Sequence, residues 1–326
     1  MSASDASFKS FSLNERLDAA WTTIRSNLDL DYLSWLAYIF TPIVVAFLLP
    51  ALLLIFLYGN ALFLHVYKLR HRLRAAYARD FWDGARSTLA SFWDAHGTIW
   101  HGYELFGIDN IPSNGPALIV YYHGTLPLDV YYLLARTIIY KQRVIHCVGD
   151  KFVFKMPGWR TLTEVFCVTP GTVESCVELL NRGEVLCIAP GGVREALFSD
   201  CRTYNLMWRQ RFGFVKIAMQ TRVPVIPMFT ENCREAFRTP RWGRRFLRKL
   251  YEYTRLPLVP IYGGFPVKLR TYLGKPVVYD DSLTQEEFRE KIKESIEDLI
   301  NTHQQLPGSI IRALLQRFPC FYRKRS

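Results

Sequence analysis

The chain has 326 residues, 50% of them hydrophobic and 15% aromatic, which is enough for one large domain with a substantial core plus further elements. Its net charge of +12 is compatible with nucleic acid, anionic lipid or a phosphorylated substrate, but the apolar segment described next favours lipid and makes a nucleic-acid binder remote. The seven cysteines include no Cys-x-x-Cys pair and no zinc-type Cys/His spacing, which argues against a disulfide framework, predicts no metal site and favours reduced thiols in a cytosol-facing domain.

The first predicted element is an apolar segment, Tyr32–Tyr67, whose 36 residues include no Asp, Glu, Lys or Arg. As one straight helix it would be roughly 54 Å long, against ~30 Å for the hydrocarbon core of a bilayer. Because Pro50 lies near its middle, we predict a membrane hairpin of two short helices over residues 32–67. One tilted span is the main alternative, and a hydrophobic hairpin buried inside a soluble protein is a less favoured one.

The flanks of this segment predict its orientation. The basic residues that follow it are Lys68, Arg70, Arg72, Arg74 and Arg79. The positive-inside rule places this end, and everything after it, in the cytosol. A hairpin would also leave the N-terminal segment, residues 1–31, in the cytosol, whereas a single span would place it in the lumen. Residues 1–31 have no basic start followed by an apolar stretch, so no cleavable signal peptide is expected.

Residues 68–110 are predicted to form a basic, tryptophan-rich helical linker. The run Phe81–Trp93, followed by Trp100 and Tyr103, has the spacing of a helix with several tryptophans on it. Such a helix either lies at the membrane interface, with its rings at headgroup depth, or packs on the core of the following domain.

Residues 111–305 alternate strand-like and helix-like patches, which predicts an α/β fold with a mainly parallel central sheet flanked by helices, preceded by the N-terminal membrane hairpin. The predicted strands are Ala117–Tyr122, Val144–Val148, Glu164–Val168, Val185–Ala189, Val223–Phe229 and Lys268–Leu273. The predicted helices are Leu128–Tyr140, Val173–Arg182, Phe212–Gln220, Arg244–Tyr253 and Thr284–His303. The basic C-terminal tail, residues 306–326, is expected to be a frayed end; membrane contact or a retrieval signal are alternatives.

A histidine and an aspartate follow the first predicted strand of this domain. His123 and Asp129 stand just after Ala117–Tyr122, and Gly124 and Pro127 allow the chain to turn between them. An imidazole can take the proton of an alcohol at neutral pH, and a carboxylate on its other ring nitrogen orients it. The pair therefore predicts a general base with its orienting acid, although a strand-end histidine bonded only to the backbone is an alternative.

A glycine turn follows the predicted strand Val185–Ala189. In Pro190–Glu195, the amides of Gly191 and Gly192 can bind an oxyanion or a phosphate, and Arg194 and Glu195 can contact a substrate. Because loops at the carboxyl ends of neighbouring strands converge on one crevice, we expect this turn to meet His123 there. A base and a set of amide donors at one point are what a hydroxyl-activating acyl transfer needs.

The segment Lys151–Gly158 alternates basic and aromatic residues after another predicted strand. Lys151 and Lys155 are candidates for holding a phosphorylated donor or acceptor, although a solvated face is an equal alternative. The chain has no GxSxG nucleophile elbow, no P-loop and no GxGxxG fingerprint after a strand, which weakens hydrolase and nucleotide-binding interpretations.

In this order the blocks resemble the glycerolipid acyltransferases of the bacterial PlsC type over about residues 98–280. The matching blocks are Trp100–His123 with Asp129, Lys151–Gly158, Pro190–Glu195 and Val223–Phe229. Two features depart from that family. Five residues instead of four separate His123 from Asp129, and Gly191 stands where the family has a glutamate.

The third block and Arg211–Ala218 are instead similar to the type-two diacylglycerol and monoacylglycerol acyltransferases and the plant phytyl ester synthases. The greatest similarity is to the subfamily of vertebrate transmembrane protein 68, through Phe81–Arg86, Gly191–Leu197 and Tyr262–Gly274.

The resemblance implies a membrane-bound O-acyltransferase that transfers a fatty acyl group to monoacylglycerol or diacylglycerol, giving triacylglycerol at the endoplasmic reticulum membrane. It implies His123 and Asp129 as catalytic residues, and as oxyanion or substrate-binding residues Gly124, Gly191, Gly192, Arg194, Glu195, Lys151, Lys155 and Arg211. No cofactor is expected, the acyl donor is acyl-CoA or a membrane lipid, and the partners are membrane lipids. A lysophosphatidate-type lysophospholipid acyltransferase and a non-catalytic lipid-binding membrane protein are the alternatives.

Overall fold

The computed structural model describes residues 18–19, 22–23, 30–71 and 82–318, with side chains in the first long helix described for residues 36–67. The side chains of the predicted basic cluster after the apolar segment, and the end of the tail from residue 319, lie outside the described part. The chain divides between Leu48 and Leu49 into two compact units.

Helix α1, Leu30–His71, is one continuous helix of 42 residues. Its segment Leu36–Tyr67, with a mean hydropathy of 2.7, is long and apolar enough to cross a membrane. The predicted hairpin at residues 32–67 is therefore wrong, and a single helix forms instead. Pro50 removes one helical hydrogen bond, but its neighbours are apolar and include none of the Gly, Asn or Asp residues that a reversal of the chain needs.

The part of α1 that belongs to the second unit packs into the core of that unit. Leu57, Ala61 and Leu64 recur at helical spacing and are buried. Phe56, on the same half of the helix, lies edge-on to Trp93 with ring centroids 5.1 Å apart. Only one face of this half of the helix packs on the core. The opposite face remains apolar and exposed.

Helix α2, Asp83–His101, lies in the predicted tryptophan-rich linker, for which a place at the membrane interface and packing on the domain core were the two predictions. Trp93 is fully buried and stacks on Tyr131 with ring centroids 4.7 Å apart, while Ala85, Leu89 and Ala90 are buried beside it. The helix therefore packs on the domain core.

The second unit contains a seven-stranded sheet in the order β1-β9-β6-β2-β5-β3-β4 and a small two-stranded ribbon of β7 and β8. The strands are β1 Glu104–Phe106, β2 Ala117–Tyr121, β3 Ile145–Gly149, β4 Val168–Pro170, β5 Val185–Ile188, β6 Val225–Glu231, β7 Phe237–Arg238, β8 Tyr262–Gly263 and β9 Arg270–Leu273. In the large sheet all neighbours pair in parallel except β6 and β9, so the predicted, mainly parallel sheet is confirmed.

Helices cover both faces of this sheet. They are α3 Leu128–Lys141, α4 Arg160–Val165, α5 Val173–Asn181, α6 Gly192–Phe198, α7 Gly213–Thr221, α8 Cys233–Ala236, α9 Arg244–Thr254, α10 Gln285–His303 and α11 Ile310–Leu315. Along β2, Ile119 belongs to one hydrophobic cluster and Leu118 and Val120 to another, because successive side chains of a strand point to opposite faces. The core is thus two layers with the central strands between them.

One predicted strand is wrong. Residues 164–168 were expected to be extended, but α4 runs to Val165 and β4 begins only at Val168. Leu162 and Val165 are spaced to bury the same face of a short helix, and Cys167, with φ +51°, turns the chain into the strand. The predicted helix start at Thr284 is confirmed by a capping box with Glu287.

Candidate active site

The carboxyl ends of four neighbouring strands meet at one cavity of about 890 Å³. These strands are β2, β5, β3 and β4, which lie in this order in the sheet. The predicted convergence of the His123 segment and the diglycine turn is therefore confirmed. Five predicted site residues line the cavity: His123, Lys151, Lys155, Gly192 and Arg211. Five others lie outside its lining: Gly124, Asp129, Gly191, Arg194 and Glu195.

His123 stands two residues beyond β2, at the wall of the cavity. Its Nδ1 lies 2.6 Å from the carbonyl oxygen of Gly124, so Nδ1 donates a proton to that carbonyl and Nε2 keeps its lone pair. Burial lowers the pKa of His123 to about 4; the charge of Arg234 acts in the same direction, and the bond to Gly124 opposes it. At neutral pH the imidazole is therefore unprotonated, which is the state that a general base needs.

Asp129 lies in the first turn of α3 and is buried. Neither of its carboxylate oxygens makes a hydrogen bond of standard geometry with any described residue, and Nδ1 of His123, its predicted partner, is bonded to Gly124. Burial raises the pKa of Asp129 to about 6, opposed by the Thr230 hydroxyl and the first-turn amides. A main-chain carbonyl therefore orients the imidazole in this structure, and an orienting role for Asp129 stays a prediction.

The diglycine turn connects β5 to α6. A Cβ on Gly191 would lie 2.3 Å from Cδ of Glu195, and Gly192 has φ +52°, so close approach requires the first glycine and a left-handed backbone favours the second. The Gly192 amide donates to the Ala189 carbonyl at 3.1 Å, whereas the amides of Gly191 and Val193 have no acceptor among the described residues. Gly192 and Val193 both line the cavity, and of these two only Val193 has an amide without an acceptor among the described residues, so the Val193 amide is available to bind an oxyanion.

The two charged residues of this turn point away from the cavity, contrary to the prediction that they contact a substrate. Arg194 is buried with its Nη2 3.2 Å from the carboxylate of Glu252 in α9. Glu195 is also buried, and it accepts the amide of His123 at 2.9 Å and that of Met207 at 2.7 Å. Burial raises the pKa of Glu195 to about 7, and these two hydrogen bonds oppose the rise. Glu195 thus holds the main chain of His123 in place.

Basic side chains dominate the charged groups on the cavity wall. The charged side chains that line the cavity, apart from His123, are Lys151, Lys155, Arg211, Arg255 and Asp150. Lys151 and Lys155 are exposed, and Arg211 also donates to the Pro190 carbonyl at 2.8 Å. The excess of cations makes the cavity suited to a ligand that carries phosphate.

A buried arginine that was not predicted, Arg234, connects the two halves of the site. It lies in α8, directly after β6, and its guanidinium donates four hydrogen bonds, to the carbonyls of His123 (3.0 Å), Glu195 (2.5 Å) and Ala196 (3.1 Å) and to the Tyr122 hydroxyl. The available signal was a charged run, residues 231–235, immediately after a buried strand. Polar residues at the end of a central strand are often functional in such sheets.

Comparison with known proteins agrees with this geometry. The profile of the family described as Acyltransferase matches residues 103–231. A human protein described as "DGAT1/2-independent enzyme synthesizing storage lipids" is 50% identical over 289 residues, which cover 89% of this chain and 88% of that protein. The chain belongs to the acyltransferase family. A chicken protein with the same description is 47% identical over 301 residues, covering 91% of this chain and 90% of its own length.

Among solved structures, the chain is similar to the 1-acyl-sn-glycerophosphate acyltransferase PlsC from Thermotoga maritima. The TM-score is 0.46 at 16% sequence identity, over 76% of this chain and 97% of that one. The family profile spans the elements from β1 to β6 and includes the site residues from His123 to Arg211, while Arg234 and α9 lie beyond its end.

Proposed function

We propose that this acyltransferase is a membrane-bound O-acyltransferase that esterifies a hydroxyl group of monoacylglycerol or diacylglycerol with a fatty acyl group. The observation that carries the proposal is the cavity lined by both an unprotonated His123 and Val193, whose amide has no acceptor among the described residues. Relatives described as enzymes synthesizing storage lipids support a neutral lipid product.

The proposed reaction uses His123 first as a base and then as an acid. Nε2 takes the proton of the acceptor hydroxyl as its oxygen forms a bond to the acyl carbonyl carbon of a thioester. The carbonyl oxygen becomes an oxyanion, stabilised by main-chain amides of the diglycine turn, that of Val193 first among them. When the tetrahedral intermediate collapses, the carbon–sulfur bond breaks and the imidazolium returns its proton to the departing thiolate. The products are an ester and a free thiol, and no cofactor is consumed.

The contacts of the third block support a neutral acceptor. Arg194, the cation of this block, pairs with Glu252 and is not available to bind the phosphate of a phosphorylated acceptor. Glu195 accepts two main-chain amides and, as an acid, would not attract a phosphate. The exposed Lys151 and Lys155 suit the phosphates of acyl-CoA as the donor. A membrane lipid as donor would leave these lysines without that role.

A second function, acylation of a lysophospholipid such as lysophosphatidate, is favoured by the same lysines. They line the cavity that contains His123, and a phosphate on the acceptor would be attracted to them as well. The two proposals differ in whether phosphate on the acceptor raises or lowers kcat/KM.

We further propose that the protein resides in the endoplasmic reticulum membrane with its catalytic domain in the cytosol. The long apolar segment Leu36–Tyr67 supports membrane association. Protease protection of epitope tags in sealed microsomes tests the orientation, since a cytosolic domain is digested without detergent.

The test of the function is acyl transfer by the purified full-length chain, reconstituted in bilayers with acyl-CoA and supplied with monoacylglycerol, diacylglycerol or lysophosphatidate. Mass spectrometry of the lipids identifies the product. In His123→Ala we expect no transfer and unchanged protein level, because among the described residues the side chain hydrogen-bonds to the carbonyl of Gly124 alone, while its main-chain bonds remain. A clear preference for lysophosphatidate would favour the second function. Transfer by His123→Ala at the wild-type rate would show that this imidazole is not the base.

A further inference from the structure

A surface segment after β7 exposes large aromatic rings. It covers residues 241–258, contains α9 and lies beyond the family profile. Trp242 is 76% exposed, Phe246 68% and Tyr253 90%. Phe246 and Tyr253, seven residues apart, lie on one side of α9, and Trp242 stands in the turn just before this helix. Single exposed rings are ordinary, but three of them in one short segment indicate a surface that contacts something other than water.

The same segment is strongly basic. Its cations are Arg241, Arg244, Arg245, Arg248, Lys249 and Arg255, and its one carboxylate is Glu252. Glu252 is already shared by three arginines: Arg194 (3.2 Å), Arg209 (3.7 Å) and Arg248 (3.3 Å). Arg245 and Lys249 are exposed and take part in none of the ion pairs between described residues. The outer face therefore combines aromatic rings with positive charge.

The inner face of this segment belongs to the active-site cavity. Tyr251, Thr254 and Leu256 line the cavity that contains His123. Tyr251 is buried in a cluster with residues of α6, against which Phe152, another residue lining the cavity, also packs. One short helix thus forms a wall of the cavity on one side and the aromatic, basic surface on the other.

We propose that residues 241–258 dock on the surface of an anionic lipid bilayer and hold the mouth of the cavity against the membrane. Tryptophan and tyrosine rings are favoured at the depth of lipid headgroups, and arginine and lysine are attracted to anionic headgroups there. A bilayer is the occupant that matches both the rings and the charge, and the apolar Leu36–Tyr67 segment brings the chain to one. The proposal goes beyond the assignment of the reaction, since it holds whichever acceptor is acylated.

The decisive measurement is the depth of Trp242 in the full-length chain. The protein is reconstituted in bilayers of phosphatidylcholine, with or without phosphatidylserine, that contain lipids nitroxide-labelled near the headgroup. The emission of Trp242 is the difference between wild type and Trp242→Phe. We expect quenching of this difference signal in bilayers with phosphatidylserine and less quenching when salt is added. A difference signal that is not quenched in any of these bilayers would overturn the proposal, because Trp242 would then lie in water.

Two sets of variants locate the effect. Arg245→Ser and Lys249→Ser should each lower the docking equilibrium about fivefold, which corresponds to about 1 kcal/mol per basic residue near an anionic surface. Ile311→Ser, at a position 71% exposed in α11, removes an apolar side chain outside the segment and should leave the quenching of Trp242 unchanged. All three side chains are exposed, so unchanged thermal midpoints are expected. Loss of quenching in Ile311→Ser alone would assign the membrane contact to another surface.

The outcomes separate docking from catalysis. If Trp242 is quenched but no glycerolipid is acylated, the docking surface is supported and the proposed reaction is wrong. If a glycerolipid is acylated while Trp242 lies in water, the reaction is supported and the docking proposal is wrong. A Trp242 that is shielded in native membranes but not in protein-free bilayers would assign the surface to a protein partner, which also overturns lipid docking.

Discussion

Arg234 is the residue whose replacement tests most directly how the site is held together. Its guanidinium donates to main-chain carbonyls on both sides of the active site, those of His123 and Glu195, and to two further groups. It touches no substrate-facing atom of the imidazole, so we expect it to be a positioning residue. The perturbations that separate this role from a general loss of folding are Arg234→Met, which removes the charge and the bonds, and Arg234→Lys, which keeps the charge.

The magnitude follows from the number of bonds. Hydrogen bonds to a charged group contribute about 1.5–3 kcal/mol each, so four give roughly 6–12 kcal/mol before any opposing term. Keeping a guanidinium buried costs several kcal/mol, which Arg234→Met recovers. The free energy of unfolding should therefore fall by about 3–5 kcal/mol in Arg234→Met and by less in Arg234→Lys. Thermal unfolding of the full chain in detergent measures this difference.

The effect on activity should be in kcat. A displacement of the His123 main chain by ~1 Å lowers the rate of the chemical step about 100-fold, while the cavity lining that binds the lipids is little changed. We therefore expect lower kcat with similar KM in Arg234→Lys. Adding this substitution to His123→Ala should have no further effect on the rate, because the arginine acts through the imidazole.

The pH profile gives a readout that loss of folding would not produce. The charge of Arg234 contributes to the lowered pKa of His123, so Arg234→Met should raise that pKa and move the acidic limb of kcat/KM to higher pH, whereas Arg234→Lys should not. An Arg234→Met variant that keeps wild-type kcat and an unmoved acidic limb would refute the positioning role.

Three further predictions concern residues of the same site. Because the pKa of His123 is lowered to about 4, kcat/KM should stay level from neutral pH down to about pH 5 and fall only below that. A fall that begins near the ordinary histidine pKa would contradict the burial of this imidazole. Gly191→Ala should unfold the turn and abolish transfer, since its Cβ would lie 2.3 Å from Glu195, while Gly213→Ala, with nothing within 4 Å, should keep the thermal midpoint. Burial raises the pKa of Asp129 to about 6 from 3.8, so stability that is present at acidic pH is lost as pH rises through 6, by at most about 3 kcal/mol. Asp129→Asn should therefore shrink the difference between the thermal midpoints measured at about pH 5 and about pH 8. An unchanged difference would show that Asp129 does not titrate in the folded protein.

The sequence predicted the sheet well because its central strands are continuous apolar runs bounded by glycine and proline. Ala117–Tyr121 and Val185–Ile188 could form little else, and parallel strands bring the loops after them together. The predicted hairpin is wrong because a single proline does not by itself reverse an apolar helix. Apolar residues around Pro50 keep the helix intact, and composition alone does not show that the second half of the segment packs on the domain.

At the site, the sequence predicted which segments lie close together, but not the directions in which their side chains point. The direction in which Arg194 and Glu195 project depends on the helical start of α6, which places one toward α9 and the other beneath β2. The partner of the imidazole was also missed, because a main-chain carbonyl such as that of Gly124 is present at every position and leaves no signature in the sequence. Arg234 was missed for a related reason, since its bonds are mainly to carbonyls.

The two departures of this chain from the family pattern are connected through one side chain. Where the family has a glutamate, this chain has Gly191, and the space that a side chain would fill there is occupied by Glu195, whose Cδ lies 2.3 Å from the position of a Cβ. From that space Glu195 reaches the amide of His123, so the glycine is what allows the carboxylate to hold the main chain of the base. With Asp129 one residue further from His123 than in the family pattern, the imidazole is held from the backbone side, by Glu195 and Arg234, and by the carbonyl of Gly124. Arg194, the cation of the third block, is meanwhile paired with Glu252, which supports the proposal of a neutral acceptor.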